Sequence, residues 1–83
     1  MSDMPVLEVV VIDADSGRPV SFGVMVCADG YCAPTGPDGI ARLNVPIGTY
    51  TLTVGGGAYE IRKYRVTADR DKRIRVTIRR ILL

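Results

Sequence analysis

The chain has 83 residues, a net charge of +2, 24% charged and 47% hydrophobic side chains, which is enough sequence for one compact domain and leaves no room for a second core. It contains no histidine, so Ser-His-Asp and Cys-His nucleophile pairs and histidine-ligated catalytic zinc are excluded, and with them the commonest hydrolase designs. No apolar stretch approaches the roughly 20 residues that cross a bilayer, and the first residues lack a secretory signal's basic and apolar regions, so the expectation is a soluble chain without a membrane span, cytoplasmic or an exported domain after processing.

Apolar residues recur with period two in short runs between turn formers, and no window carries a capped i, i+3, i+4, i+7 stripe. The runs therefore read as strands. Val6 to Ile12 is almost continuously aliphatic, as in a strand close to neighbours on both sides. Asp13-Ala14-Asp15-Ser16-Gly17 turns the chain, and Gly17 adopts φ > 0 there without steric cost.

Val20 to Ala28 is the second run and Tyr31 to Thr35 the third, joined at Asp29-Gly30, a strong hairpin signal. Pro34, Gly36 and Pro37 stop the third run early, which suits an edge strand. Asp38-Gly39 leads into Ile40 to Val45, where Ala41, Leu43 and Val45 share one face and Ile40 sits on the polar one. After the Pro46-Ile47-Gly48 turn, Thr49 to Val54 alternates Tyr50, Leu52 and Val54 with threonines, as a half-buried strand does.

Gly55-Gly56-Gly57 interrupts the pattern before Tyr59 to Ala68. There Tyr59 and Ile61 share a parity that Tyr64 and Val66 do not, which calls for a bulge near Arg62-Lys63. The last run, Lys72 to Arg80, alternates Ile74, Val76 and Ile78 with Arg73, Arg75, Thr77 and Arg79. Seven runs without a helix predict an all-β fold, a seven-stranded antiparallel Greek-key sandwich occupying residues 1–83 as one domain. A five-stranded OB barrel is the structural competitor, but it wants longer strands and often a helix.

Three motifs carry a resemblance: Val-x-Asp-x-x-Ser-Gly-Arg-Pro-Val at Val11 to Val20, Thr-Gly-Pro-Asp-Gly at Thr35 to Gly39, and Pro-Ile-Gly-Thr-Tyr-Thr-Leu at Pro46 to Leu52. In order and spacing the chain resembles the carboxypeptidase regulatory-like group, and Gly57-Ala58-Tyr59-Glu60 is similar to that group's Gly-Tyr step. The resemblance implies a transthyretin-like sandwich that serves as an accessory or interaction module. Its enzymatic relatives, the hydroxyisourate hydrolases, use histidines and a Tyr-Arg-Gly-Ser ending that this chain lacks, so their activity does not carry over. The motif residues form turns and strands and hold no chemistry themselves.

The residues that do carry chemistry are few, and no cofactor is implied. If Asp29-Gly30 is a two-residue loop, Cys27 lies opposite Cys32 at a separation a disulfide accepts. The alternative is two reduced, buried thiols. Carboxylate pairs at Asp13/Asp15 and Asp69/Asp71 are conceivable for acid–base work, but each sits in a turn where Asp caps its own backbone. Asp13-x-Asp15-x-Gly17, helped by Asp38, resembles the start of a calcium loop without the distal glutamate such a loop needs, and a turn is the simpler reading.

Charge is uneven: residues 60–83 hold nine Lys or Arg against three acids. Arg62, Lys63, Arg65, Arg73, Arg75 and Arg79 would form an anion-binding face for nucleic acid if their strands neighbour each other on one sheet, or else a solvated face that discourages edge pairing. Ile81, Leu82 and Leu83 break the final alternation and are a candidate contact for a protein partner or, most simply, a two-fold homodimer, the alternative being a tail that folds back over an open end of the sandwich. A carbohydrate-contacting role is weaker, since the chain has no tryptophan to stack on sugars. Nine arginines against two lysines, with one asparagine and no glutamine, fit a thermophile. The expectation is therefore a non-enzymatic β-sandwich interaction module, with any small-molecule ligand left open.

Overall fold

The computed structural model describes residues 4–81. Seven strands form: β1 (Val6–Asp13), β2 (Met25–Ala28), β3 (Tyr31–Pro34), β4 (Ile40–Asn44), β5 (Gly48–Gly56), β6 (Tyr59–Ala68) and β7 (Lys72–Ile78). They make two sheets, one ordered β4-β1-β7 and the other β3-β2-β5-β6, packed face to face as a sandwich. The core is the set of inward side chains that the period-two pattern marked. Leu7, Val9 and Val11 of β1, Ala41 and Leu43 of β4, Val76 and Ile78 of β7 meet Val26, Ala28, Leu52 and Val54 from the other sheet, all buried.

One pairing departs from the antiparallel expectation: β1 and β7 run parallel, from Leu7 opposite Lys72 to Asp13 opposite Ile78. A parallel pair needs a long crossover. Here the five intervening strands supply it, so no helix is required. All other strand pairs are antiparallel.

The expected Val20–Ala28 strand is also shorter. Pro19 makes only an isolated bridge to Ile12, Phe22 and Gly23 both adopt positive φ, and regular pairing begins at Met25. The chain spends Ala14 to Val24 crossing from one sheet to the other. Similarly, β3 ends at Pro34 and β7 at Ile78, a residue or two before the alternation stops.

The phase change in β6 sits slightly earlier than Arg62-Lys63. Val54 pairs with Arg62 and Gly56 with Tyr59, so Glu60 and Ile61 together face the single residue Gly55. That extra residue lets Tyr59 and, after the bulge, Tyr64 and Val66 all pack against the core, although their sequence parity differs. At the opposite hairpin, Asp29 and Gly30 form the loop, Ala28 faces Tyr31 and Cys27 faces Cys32. The two cysteines are joined as a disulfide with Cα atoms 4.0 Å apart.

Candidate functional site

The connections β1–β2, β3–β4 and β5–β6 and the segment after β7 gather at one end of the sandwich. Asp13, the last residue of β1, organises them. Its Oδ1 accepts hydrogen bonds from the backbone N–H groups of Asp15 (2.8 Å) and Ser16 (3.1 Å), which is an Asx turn. Its Oδ2 accepts one from the Tyr59 hydroxyl at 2.8 Å. The Tyr59 oxygen in turn accepts from Arg80 at 3.4 Å, whose guanidinium lies 5.5 Å from the Tyr59 ring centroid.

These contacts bias the charges. The Tyr59 hydroxyl first, then the Ser16 and Asp15 N–H groups, hold the Asp13 carboxyl below the usual carboxylate range, with Arg80 acting in the same direction. Arg80 is held more firmly protonated, chiefly by Tyr59. Backbone bonds fix the same neighbourhood: Glu60 N–H donates to the Arg79 carbonyl at 3.0 Å and Ile81 N–H to the Ala58 carbonyl at 2.6 Å.

Around this polar chain lies an open recess of about 640 Å³, lined among others by Asp13, Asp15, Arg18, Phe22, Tyr59 and Arg80. Phe22 is 62% exposed and its φ is 62°, a left-handed backbone that is costly for a bulky side chain. Ile81, 50% exposed, directly follows Arg80, and its N–H bonds the carbonyl of Ala58, the residue before Tyr59. The end thus presents an aromatic and an aliphatic side chain beside two arginines. Such a surface suits contact with another macromolecule better than acid–base chemistry, because Asp13 is occupied by three donors. Among the described residues, no group of three or more His, Cys, Asp or Glu side chains is placed to hold a metal ion.

The carboxylates and basic residues singled out in the sequence are distributed as follows. Asp69 pairs with Lys72 at 3.0 Å, and Asp71 Oδ1 accepts from Val6 N–H at 2.8 Å. Asp38 accepts from Ile40 N–H and pairs with Arg42. These carboxylates therefore brace turns and strand starts. The six basic residues do not form one face. β6 and β7 are consecutive but belong to different sheets, so Lys63 and Arg65, on the outer side of one sheet with Thr53 and Thr51, point away from Arg73 and Arg75 on the outside of the other. Arg62 pairs with Glu60 at 3.5 Å and lies 6.0 Å from the Tyr64 ring centroid, Arg73 reaches Glu8 at 3.4 Å, and Arg79 lies beyond β7. Leu82 and Leu83 lie outside the described residues.

Sequence reasoning missed Phe22, Tyr59 and Arg80 as a group. Phe22 shares parity with Val20, Val24 and Val26, so nothing in the alternation marks it as exposed. The one signal of exposure was its position between Ser21 and Gly23, a pairing of turn formers.

No protein-family model matches the sequence, and no curated protein matches it. Solved structures do match in fold. A chain of the type II cohesin–X-dockerin complex from Acetivibrio cellulolyticus superposes with a TM-score of 0.76 at 20% identity, over 89% of this chain and 56% of that one. The Bacillus anthracis TIE protein gives a TM-score of 0.64 at 16% identity, over 95% of this chain and 17% of that one. The Caf1A usher C-terminal domain gives 0.54 at 17% identity, over 90% of this chain and 97% of that one. This chain spans 56% of the first of these, and at such identities the common property is the β-sandwich itself. A carboxypeptidase regulatory-like or transthyretin-like membership is not established by these likenesses.

Proposed function

We propose that the chain is a non-catalytic protein-binding β-sandwich module of the carboxypeptidase regulatory-like kind, a single domain, which meets its partner through the loop end around Phe22 and the Ile81–Leu83 segment. The partner is, most simply, a second copy of the chain. The observation that carries this reading is Phe22 held exposed in a left-handed conformation, lining the same recess as Arg80. Backbone strain of roughly 1–3 kcal/mol at an exposed aromatic calls for a gain elsewhere, and buried aromatic and arginine anchors dominate interface energetics.

Two likenesses lend support at the level of fold. The A. cellulolyticus structures are of interface mutants of a protein–protein complex, and the usher domain's surface hydrophobic clusters are described as important for F1 antigen assembly. The absence of histidine and the engagement of Asp13 by three donors support a role without catalysis. Nucleic acid is less well served, since the basic residues are divided between opposite outer faces. The Cys27–Cys32 disulfide fits an oxidising compartment or the interior of a hyperthermophile.

The test is solution mass by light scattering on the intact chain, on the chain ending at Arg80, and on Phe22→Asn. Asparagine tolerates the left-handed region, so this variant should keep or slightly raise the melting temperature while removing the aromatic anchor. A dimer that becomes a monomer in both variants supports the reading. A monomer in all three overturns self-association through this end.

A further inference from the structure

A second surface, separate from the loop end, lies along β6. This is a 10-residue strand at the edge of its sheet, the longest strand in the molecule, and long edge strands are templates for further pairing. Both its ends are already engaged. At one end the chain after β7 returns antiparallel to it, with Tyr59 bridged to Arg80 and two backbone bonds between 58–60 and 79–81. At the other, Lys72 Nζ donates to the Thr67 carbonyl at 2.6 Å. Between them, among the described residues, the edge is open.

The Thr67 carbonyl faces away from β5, so Lys63 and Arg65, of the same parity beyond the bulge, turn their N–H and C=O groups to the open edge too. Their side chains lie on the outer face, both are exposed, and neither forms an ion pair with an acid among the described residues. On the inner side, Tyr64, Val66 and Ile74 are only partly buried against the core, and the Tyr64 hydroxyl reaches across to the Thr77 carbonyl of β7 at 3.3 Å. The opening thus has a basic outer lip, an apolar inner lip, and unpaired strand backbone between.

From this arrangement we infer that the β6 edge takes up an extended segment of another protein, antiparallel to β6, with acidic residues alternating with aliphatic ones. The acids would meet Lys63 and Arg65 on the outer face, where opposite charges across a strand pair are favourable, and the aliphatic residues would cover Tyr64, Val66 and Ile74. A second copy of β6 is disfavoured: the register about Val66, which would avoid like charges, needs the Thr67 carbonyl that Lys72 already holds, and the two registers nearest the middle of the open edge set like charges together. In antiparallel pairing about Tyr64, Lys63 of one copy faces Arg65 of the other, and pairing about Arg65 sets two arginines opposite each other, both repulsive. The returning segment at Arg79–Ile81 is the same mode of pairing made within the chain, on the same edge.

The experiment uses the full chain, isotope-labelled for amide NMR and hydrogen exchange, and three peptides of about eight residues, a common strand length. One alternates Val with Glu, one alternates Val with Lys, and one has the Val/Glu composition in two blocks. The alternating Val/Glu peptide should bind and slow exchange of the Lys63 and Arg65 amides, while the other two bind at least about tenfold more weakly. Lys63→Glu with Arg65→Glu, two exposed substitutions, should reverse the preference toward the Val/Lys peptide. Phe22→Asn should leave binding unchanged, so failure of the loop-end reading and failure of this one are distinguishable. Equal binding of all three peptides, no protection of the two amides, protection of the same amides by self-association alone, or their perturbation by an oligonucleotide and not by the Val/Glu peptide would each overturn the inference.

Discussion

The Tyr59 hydroxyl donates to Asp13 Oδ2 at 2.8 Å, and this bond joins the two sheets at the loop end: Asp13 closes β1 in one sheet and Tyr59 opens β6 in the other. Core packing holds sheets together without direction, whereas this contact fixes where one sheet ends relative to the other. Tyr59→Phe keeps the ring and its face contact with Arg80 but leaves Oδ2 without its donor and Arg80 without the hydroxyl acceptor. The expected result is a melting temperature lower by about 5 °C in thermal denaturation, the size that one charge-assisted hydrogen bond commands in a domain of this length. An unchanged melting temperature would mean that water replaces the hydroxyl at no cost.

Acid should weaken the fold through a few identifiable carboxylates. Asp13, held down first by Tyr59, Asp38, held down first by Arg42, and Asp69, held down first by Lys72, all have folded-state pKa values below the ordinary 3.8. A depressed folded pKa contributes stability that is present above the unfolded value and is lost as pH falls through the folded one. The urea midpoint should therefore be flat from neutral pH down to about 5 and drop below about 4. Asp13→Asn should be less stable at neutral pH and show a shallower acid drop, because its backbone bonds survive but the ionised partner of Tyr59 and Arg80 does not. An acid profile identical to that of the parent would remove Asp13 from the set.

The disulfide is a staple on the short β3 edge. β3 has four residues and pairs on one side only, with β2, so few backbone bonds hold it. Closing so short a loop lowers unfolded-state entropy modestly, and Cys27→Ser with Cys32→Ser should cost about 2 kcal/mol in denaturant unfolding. Faster amide exchange should be concentrated between Met25 and Pro34, with β1 and β7 unaffected. Loss of protection throughout the sandwich would instead make the hairpin a keystone of the whole fold.

How far the sequence reaches follows from where its signals are local. Alternation at Leu52 and Val54, and the Asp29-Gly30 loop that sets Cys27 against Cys32, depend on neighbours a few residues away, and the pattern shows them directly. The parallel pairing of Val9 with Ile74 joins residues from opposite ends of the chain, and nothing in either run marks the direction of its partner. The same limit hid the separation of Lys63 and Arg65 from Arg73 and Arg75. Consecutive strands usually neighbour each other, yet the 69–71 turn carries the chain from one sheet to the other. At Phe22 the pattern is silent: its parity is that of the buried Val20, Val24 and Val26, and the two positive-φ residues that turn it outward leave little trace beyond the adjacent glycine.

Two glycines separate local strain from close approach. Gly17 and Gly39 have nearly the same left-handed φ, 73° and 76°, but a Cβ on Gly17 would meet nothing within 4 Å, while one on Gly39 would lie 2.5 Å from the Pro19 Cβ and 3.1 Å from the Val20 backbone nitrogen. Gly39 is packed there because its carbonyl accepts from Val11 N–H at 3.0 Å and Val20 N–H donates back to the Val11 carbonyl at 2.8 Å, which pins the Pro19–Val20 crossing, β1 and the β3–β4 turn together. Gly17→Ala should cost only the left-handed penalty, about 1 kcal/mol. Gly39→Ala adds a backbone displacement to that penalty and should cost about 2–4 kcal/mol, measured as the difference in denaturant midpoint at equal slope. Equal losses at the two positions would show that the crossing yields freely and that the Thr35–Gly39 motif is needed only for its turn.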